Sequence, residues 1–224
     1  MKKLILCLSL LFVGALHAQT IKFTVEGVIQ SPKNAKFAYL VSDAPVVGKA
    51  DLFLIKPMDG DHFQLSTTFD LAGQLLREGF IFVDERGDIT LAEVKARIKE
   101  KVWFVGGSAN LKRVFLEDVK LDIENPYNLA SAKIISGGIY LQQTMDARTA
   151  LKERKLLRFI KQNADSPVAL IEVGNLMRFG NMPGFFKEFD FSSPEELYSA
   201  LSSRLQQSEE GKAIKKKLDE PLKN

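Results

Sequence analysis

The sequence predicts an α+β protein: an antiparallel β-sandwich-like domain over residues 19–142, then a small C-terminal helical segment over residues 143–224. Three observations predict it. The first is a period of two. Val119, Leu121 and Ile123 alternate with Lys120, Asp122 and Glu124, the pattern of a strand with one buried face. The second is a change of signal after Gly138. Apolar residues then recur at helical spacing, and Ser166-Pro167 and Ser193-Pro194 read as helix starts, with a capping hydroxyl before a proline at the first helical position. The third is composition. Hydrophobic residues make up 46% of the 224 and charged residues 26%, an ordinary balance for a chain that folds around a core.

The first eighteen residues read as an export leader. Lys2 and Lys3 form a positive start, an apolar run spans 4–16, and Ala18 is a small residue suited to the position before a cut. The run is shorter than the roughly 20 apolar residues needed to span a bilayer, and no later stretch reaches that length. The expected location is the periplasm or outside the cell. Removing Lys2 and Lys3 leaves 29 of 31 Lys and Arg against 28 Asp and Glu, a formal charge of +1. That near-neutral body argues against a nucleic-acid partner.

The elements follow in order. A strand is expected over 21–29, with Gly27 marking a bend or bulge. Ser31-Pro32-Lys33-Asn34 is a turn, 36–41 a second strand, and 42–49 a loop. Strands over 52–55 and 62–69 flank Asp59-Gly60, a hairpin signal. A short strand over 80–83 precedes the turn at 85–88. Residues 90–105 fit two patterns. Thr90 and Glu93 form a capping box with Leu91, Val94 and Ile98 at helical spacing, yet Val94, Ala96, Ile98, Val102 and Phe104 also alternate with polar or aromatic residues. We read the stretch as a strand ending at Gly106-Gly107-Ser108. Residues 114–125 are two strands around a tight turn, and 132–135 is another, closing on Gly137-Gly138. A helix with a narrow apolar face is expected over 146–163, then a buried helix over 168–177 stopped by Gly180. Next come a helix carrying Leu197, Leu201 and Leu205, and one opened by Ser208 with Ile214 and Leu218 inward.

Chemistry-bearing residues are scarce. The chain's single cysteine, Cys7, and one of its two histidines, His17, lie in the leader. The processed chain thus has no thiolate nucleophile, disulfide or sulfur metal ligand, and His62 is its one imidazole. No residue is assigned a catalytic, cofactor-binding or metal-ligating role. His62 beside Asp59 and Asp61 is a weak candidate for a cation or base, but turn chemistry accounts for Asp and Gly there. Lys95, Arg97, Lys99 and Lys101 would share one strand face and offer an anion or partner surface, or protect an edge strand. Phe179, Phe185 and Phe186, near Met182, Phe189 and Phe191, either seal helices onto the β domain or form a partner patch. Glu172 on an apolar helix is expected to reach the rim or pair with Arg178.

Several phrases carry a resemblance. Phe23-Thr24-Val25-Glu26-Gly27, Asp59-Gly60-Asp61-His62-Phe63, Val114-Phe115-Leu116-Glu117, and the run from Asn128 to Gly138 resemble a β-rich domain of unknown function. That domain precedes the thioredoxin fold in many envelope thiol-disulfide oxidoreductases of the TlpA- or ResA-like type, in the alkyl hydroperoxide reductase and thiol-specific antioxidant group. Phe159-Ile160, Asn163, Ser166 and 208–214 resemble the helical linker after it. In such proteins a Cys-x-x-Cys pair follows, and this sequence carries none. The resemblance implies an accessory module without the redox centre, and no catalytic residue carries over.

The expectation is a non-catalytic envelope protein that binds a thioredoxin-like oxidoreductase or another copy of itself. The alternatives are a small-ligand or envelope-polymer binding module, and a hydrolase working through carboxylates alone, which needs two facing carboxyls across a groove. The leader makes a direct prediction. N-terminal sequencing of protein recovered from the envelope should begin at Gln19 or Thr20, and an intact Met1 would contradict it.

Overall fold

The computed structural model describes residues 20–42, 51–100, 110–179 and 192–220. Strands β1 (Thr20–Ile29), β2 (Phe37–Ser42), β3 (Leu52–Pro57), β4 (His62–Asp70) and β5 (Glu78–Asp84) come first. Helix α1 (Leu91–Lys99), β6 (Lys112–Phe115), β7 (Val119–Ile123) and β8 (Lys133–Gly137) follow. One sheet, A, has the order β4-β1-β7-β8, and the other, B, the order β3-β2-β5-β6. The β1–β7 pair is parallel, Val25 lying opposite Val119, and the other pairs are antiparallel.

Alternation along the strands builds the core. Phe23, Val25 and Ile29 of β1, Phe63, Leu65 and Phe69 of β4, and Leu121 and Ile123 of β7 point inward from sheet A. They meet Ala38 and Leu40 of β2, Ile81 and Val83 of β5, and Val114 of β6. Sheet B is covered on its other face too. There Tyr39 and Phe82 stack at 4.5 Å between ring centroids, and Val41, Ile89 and Val94 of α1 close over them. This packing decides residues 91–99 in favour of helix and against the expected strand. The Thr90 hydroxyl accepts the Glu93 N–H at 3.2 Å, a helix cap, and one side chain, Val94, supplies the buried contact. The alternation at 94, 96 and 98 is incidental, since Ala96 and Ile98 face solvent. Residues 101–105 lie outside the described residues.

Other expectations change as well. Asp59 and His62 do exchange both backbone hydrogen bonds, at 2.9 and 3.0 Å, around Gly60 at φ +61°. Yet β3 and β4 then part into different sheets, so the turn is a corner between layers and not a hairpin within one. Gly27 sits in unbroken register between Phe63 and Leu121, with no bulge. Its role is close packing, because a Cβ there would lie 2.2 Å from the Phe63 ring. The helix expected over 146–163 is two, α2 (Ile139–Lys152) and α3 (Leu156–Gln162), parted at Arg154 with φ +58°.

The remaining helices are α4 (Pro167–Phe179), α5 (Pro194–Ser199), α6 (Ser203–Gln207) and α7 (Glu209–Asp219). Ser193, Ser202 and Ser208 each cap the helix that follows. The cap at Ser202 divides the helix expected to carry Leu197, Leu201 and Leu205, although all three leucines are buried. Val168, Ala169, Leu170, Val173 and Leu176 make α4 the centre of a second core, with Phe159, Ile160, Leu197 and Leu205 around it. Ile171 of α4 remains 40% exposed, so that helix is buried on most sides and open on one.

The glycine contrast is testable. Gly27→Ala should cost about 1–3 kcal/mol through overpacking against Phe63. Gly60→Ala meets open space and should cost about 1–2 kcal/mol from its left-handed backbone alone. Urea unfolding monitored by circular dichroism checks both, and a neutral Gly27→Ala would contradict the packing role.

Candidate functional site

The outer face of sheet A is the one large sheet surface that the described residues leave to solvent. Thr24, Glu26 and Val28 of β1 stand there with Gln64 and Ser66 of β4 and Lys120 and Asp122 of β7. Register aligns them in rows. Glu26 lies opposite Gln64 on one side and Lys120 on the other. Gln64 Nε2 donates to Glu26 Oε1 at 3.3 Å, and Lys120 Nζ lies 3.9 Å from Glu26 Oε2. The Thr24 and Ser66 hydroxyls meet at 3.1 Å. The Gln30 amide donates to both oxygens of Asp122, at 3.0 and 3.3 Å.

One end of this face deepens into a groove of about 430 Å³, whose lining includes Glu26, Val28, Lys56, Asp59, His62 and Lys120. The groove is open and its walls carry both signs of charge. It therefore differs from the enclosed, mostly apolar cavity that swallows a small ligand. His62 is on the rim, its ring largely exposed and its Nδ1 bonded to the neighbouring Asp61 carboxylate. Among the described residues, no group of three or more His, Cys, Asp or Glu is placed to hold a metal ion. A second groove, about 400 Å³, lies along α2 and α3 and is lined in part by Asp146, Glu153, Lys155 and Arg158. Lys155 donates to Glu153 at 2.8 Å and holds that carboxyl below the usual range.

The basic surface expected at 95–101 does not form as read. On a helix, residues two apart are about 200° apart, so Lys95, Arg97 and Lys99 cannot share one face. Lys95 pairs with Asp51 at 2.7 Å, and Arg97 pairs with Glu93, which Arg86 also holds at 3.1 Å. Lys99 is exposed, and Lys101 and Gly106-Gly107-Ser108 lie outside the described residues. So do Phe185, Phe186, Met182, Phe189, Phe191 and the side chain of Phe179. Glu172 is pushed above the usual carboxylate range by burial, against a hydrogen bond from Asn175 and the charge of Arg148. The side chain of the expected partner Arg178 is outside the described residues.

A group that the sequence did not single out, Glu117, joins the two cores. It sits in the turn between β6 and β7, and its carboxylate accepts the N–H groups of Tyr140 and Leu141 at the start of α2, both at 3.0 Å. The first N–H groups of a helix have no partner within it and carry partial positive charge, so a carboxylate is the natural cap. Gly138 precedes the helix at φ +63° and donates to the Asp118 carbonyl at 2.8 Å. At Gly137 (φ +67°) a Cβ would lie 2.1 Å from that same oxygen. Phe115 meets Tyr140 edge to face at 6.4 Å. A second tie comes from α7, where Glu210 accepts the Leu75 N–H at 3.3 Å.

Comparison with family models, curated proteins and solved structures found no match to this chain.

The cap predicts a pH dependence. Burial raises the Glu117 carboxyl above its usual range, against the pull of the Tyr140, Leu141 and Ile139 amides. With the folded value above the unfolded one, the native state takes up the proton first as pH falls. Relative to Glu117→Gln, the native protein should therefore gain stability as pH falls through the folded value toward about 4.3, and lose it as pH rises. Glu117→Ala should cost about 1–3 kcal/mol by leaving two amides unsatisfied. Urea titrations across pH check this, and parallel curves for the native protein and Glu117→Gln would contradict it.

Proposed function

We propose that this chain is an exported, non-catalytic binding module of the cell envelope. In this reading it is an accessory relative of the part that precedes the thioredoxin fold in envelope thiol-disulfide oxidoreductases, and its partner is such an oxidoreductase. The observation that carries the reading is the solvent face of sheet A with its open groove. Glu26 and Asp59 stand there with Lys56 and Lys120, a fixed pattern of mixed charge that suits recognition of a polar protein surface. Bond-making needs a nucleophile, a base and an orienting group that converge on one point. Here Glu26 is engaged by Gln64 and Lys120, and His62 by its neighbour Asp61. The architecture supports the family reading as well, since sheets over 20–137 precede helices over 139–219. Thr20 opens β1 one residue after Gln19, so the expected cut after Ala18 leaves every strand whole. Among the described residues no helix is long and apolar enough to cross a membrane.

Affinity capture from envelope extract tests the proposal, using the processed protein and a Lys56→Glu, Lys120→Glu variant as baits. The native bait should enrich a thioredoxin-like oxidoreductase, and the variant should recover at least about tenfold less of it, a loss of about 1.4 kcal/mol or more in binding. An envelope polymer retained in place of protein would favour the ligand-binding alternative. The bait alone, or turnover of a substrate by the purified protein, would overturn the reading.

A further inference from the structure

Positive charge is concentrated at one corner of the helical region. Residues 148–161 are the end of α2, the turn after it and most of α3. They hold Arg148, Lys152, Arg154, Lys155, Arg158 and Lys161 against one anion, Glu153, a formal +5. The processed chain carries +1 in all, so its other residues sum to −4. All seven of these side chains are exposed. A basic corner on an otherwise acidic body turns that corner toward any anionic field.

The fold does not account for the cluster. Lys155 is paired with Glu153 at 2.8 Å, and Arg148 lies within range of the Glu172 carboxyl. Among the described residues, Lys152, Arg154, Arg158 and Lys161 make no ion pair. Lys152 closes α2, where a cation offsets the helix dipole, but Lys155 and Arg158 open α3, where it does not. Arg154 stands at φ +58°, a helix-ending conformation that glycine adopts without strain and arginine does not. Clustered like charges also repel one another and weaken the compact state. The support beneath them is nonetheless firm. Leu156, Phe159 and Ile160 bury the other side of α3 in the second core, and the Lys155 N–H donates to the Ala150 carbonyl at 2.7 Å across the corner. Asp146 and Glu153, which line the adjoining groove from α2, are already engaged by Gln142 and Lys155 at 3.0 and 2.8 Å.

We propose that this corner docks the protein on an anionic lipid surface, its cations meeting the phosphates of the headgroups. This inference stands apart from the oxidoreductase partner, for which the solvent face of sheet A is proposed. The two surfaces differ in kind. On sheet A, Glu26 and Lys120 are opposite in sign and lie beside each other, which suits one partner of matching pattern. At the corner the charges are of one sign, on long exposed side chains, and most have no protein partner, which suits a field of headgroups with no fixed register. Lys155, Arg158 and Lys161 recur at every third residue on the exposed side of α3 and its cap, so they are neighbours along one helix face. Each Lys or Arg near such a surface strengthens binding about fivefold, and the attraction fades within a Debye length.

Co-sedimentation of the processed full-length protein with vesicles tests the proposal. Vesicles of phosphatidylcholine with phosphatidylglycerol should bind it at low salt and release it at high salt, and vesicles of phosphatidylcholine alone should not bind it. Arg154→Gln, Arg158→Gln and Lys161→Gln together should weaken binding at least about tenfold with an unchanged circular dichroism spectrum. Lys212→Gln, Lys216→Gln and Lys217→Gln remove the same charge from α7 and should weaken it less than about threefold. Arg154→Gly gives a readout secure against misfolding. It relieves the left-handed backbone, so binding should fall about fivefold while the thermal midpoint holds or rises. Absence of binding to the anionic vesicles, equal binding to the neutral ones, or equal weakening by the α7 variant would overturn the proposal. Inorganic phosphate that releases the protein better than chloride at matched ionic strength would mark a free-anion site and overturn it too. If immobilised polyglutamate retains the protein and the vesicles do not, the corner belongs to an acidic protein and the proposal falls.

Discussion

The start of the helical region is held by one turn, residues 116–118. Within it, the Glu117 side chain caps α2, and the Asp118 carbonyl accepts the Gly138 N–H. The Asp118 side chain accepts the Thr24 N–H of β1 at 2.8 Å. A helix end, the end of β8 and the central strand of sheet A thus converge on two consecutive acidic residues. Burial makes the Glu117 charge expensive, and moving it away would leave two amides unsatisfied. Neither glycine beside it has a free substitute: a Cβ at Gly137 would strike the Asp118 carbonyl, and one at Gly138, also at positive φ, would crowd Val119.

Residues 114–125 were legible in the sequence as two strands around a tight turn. Their chemistry was not. Nothing local to Glu117 says that it caps a helix starting 22 residues later. The same limit explains the strands. Alternation located β1, β4 and β7, where one face is buried, while β2 and β5, covered on both faces, read as short apolar runs. Sheet membership was hidden, since Asp59-Gly60 makes the same turn whether the strands stay paired or part. At residues 90–99 two periods competed, and the outer face of sheet B decided between them. Tyr39 and Phe82 needed a cover, and one turn of helix bearing Val94 supplied it. The breaks at Arg154 and Ser202 left too little local signal against the continuing leucine spacing.

The candidate site was invisible for a related reason. Glu26, Gln64 and Lys120 come from three strands far apart in the chain, and only the order β4-β1-β7 brings them into one row. His62, which the sequence did single out, marks the rim of the groove, while the helix over 91–99 turns Arg97 away from Lys95 and Lys99. The surface that results is one of paired charges on a rigid support. Its inner side chains are packed into the sandwich, and Glu26, Gln64 and Lys120 on its outer side are held by one another, so the binding proposed for it would leave little ordering to do. The helical core adds the groove along α2 and α3, held to the sandwich provided the turn at 116–118 holds.

Native-state amide hydrogen exchange measures that provision directly. If residues 116–118 weld the two cores together, the N–H groups of Gly138, Tyr140 and Leu141 should be protected to the same degree as those of β1 and β7, and should open with them. Exchange at these three amides that is orders of magnitude faster, with the β core still protected, would contradict the account.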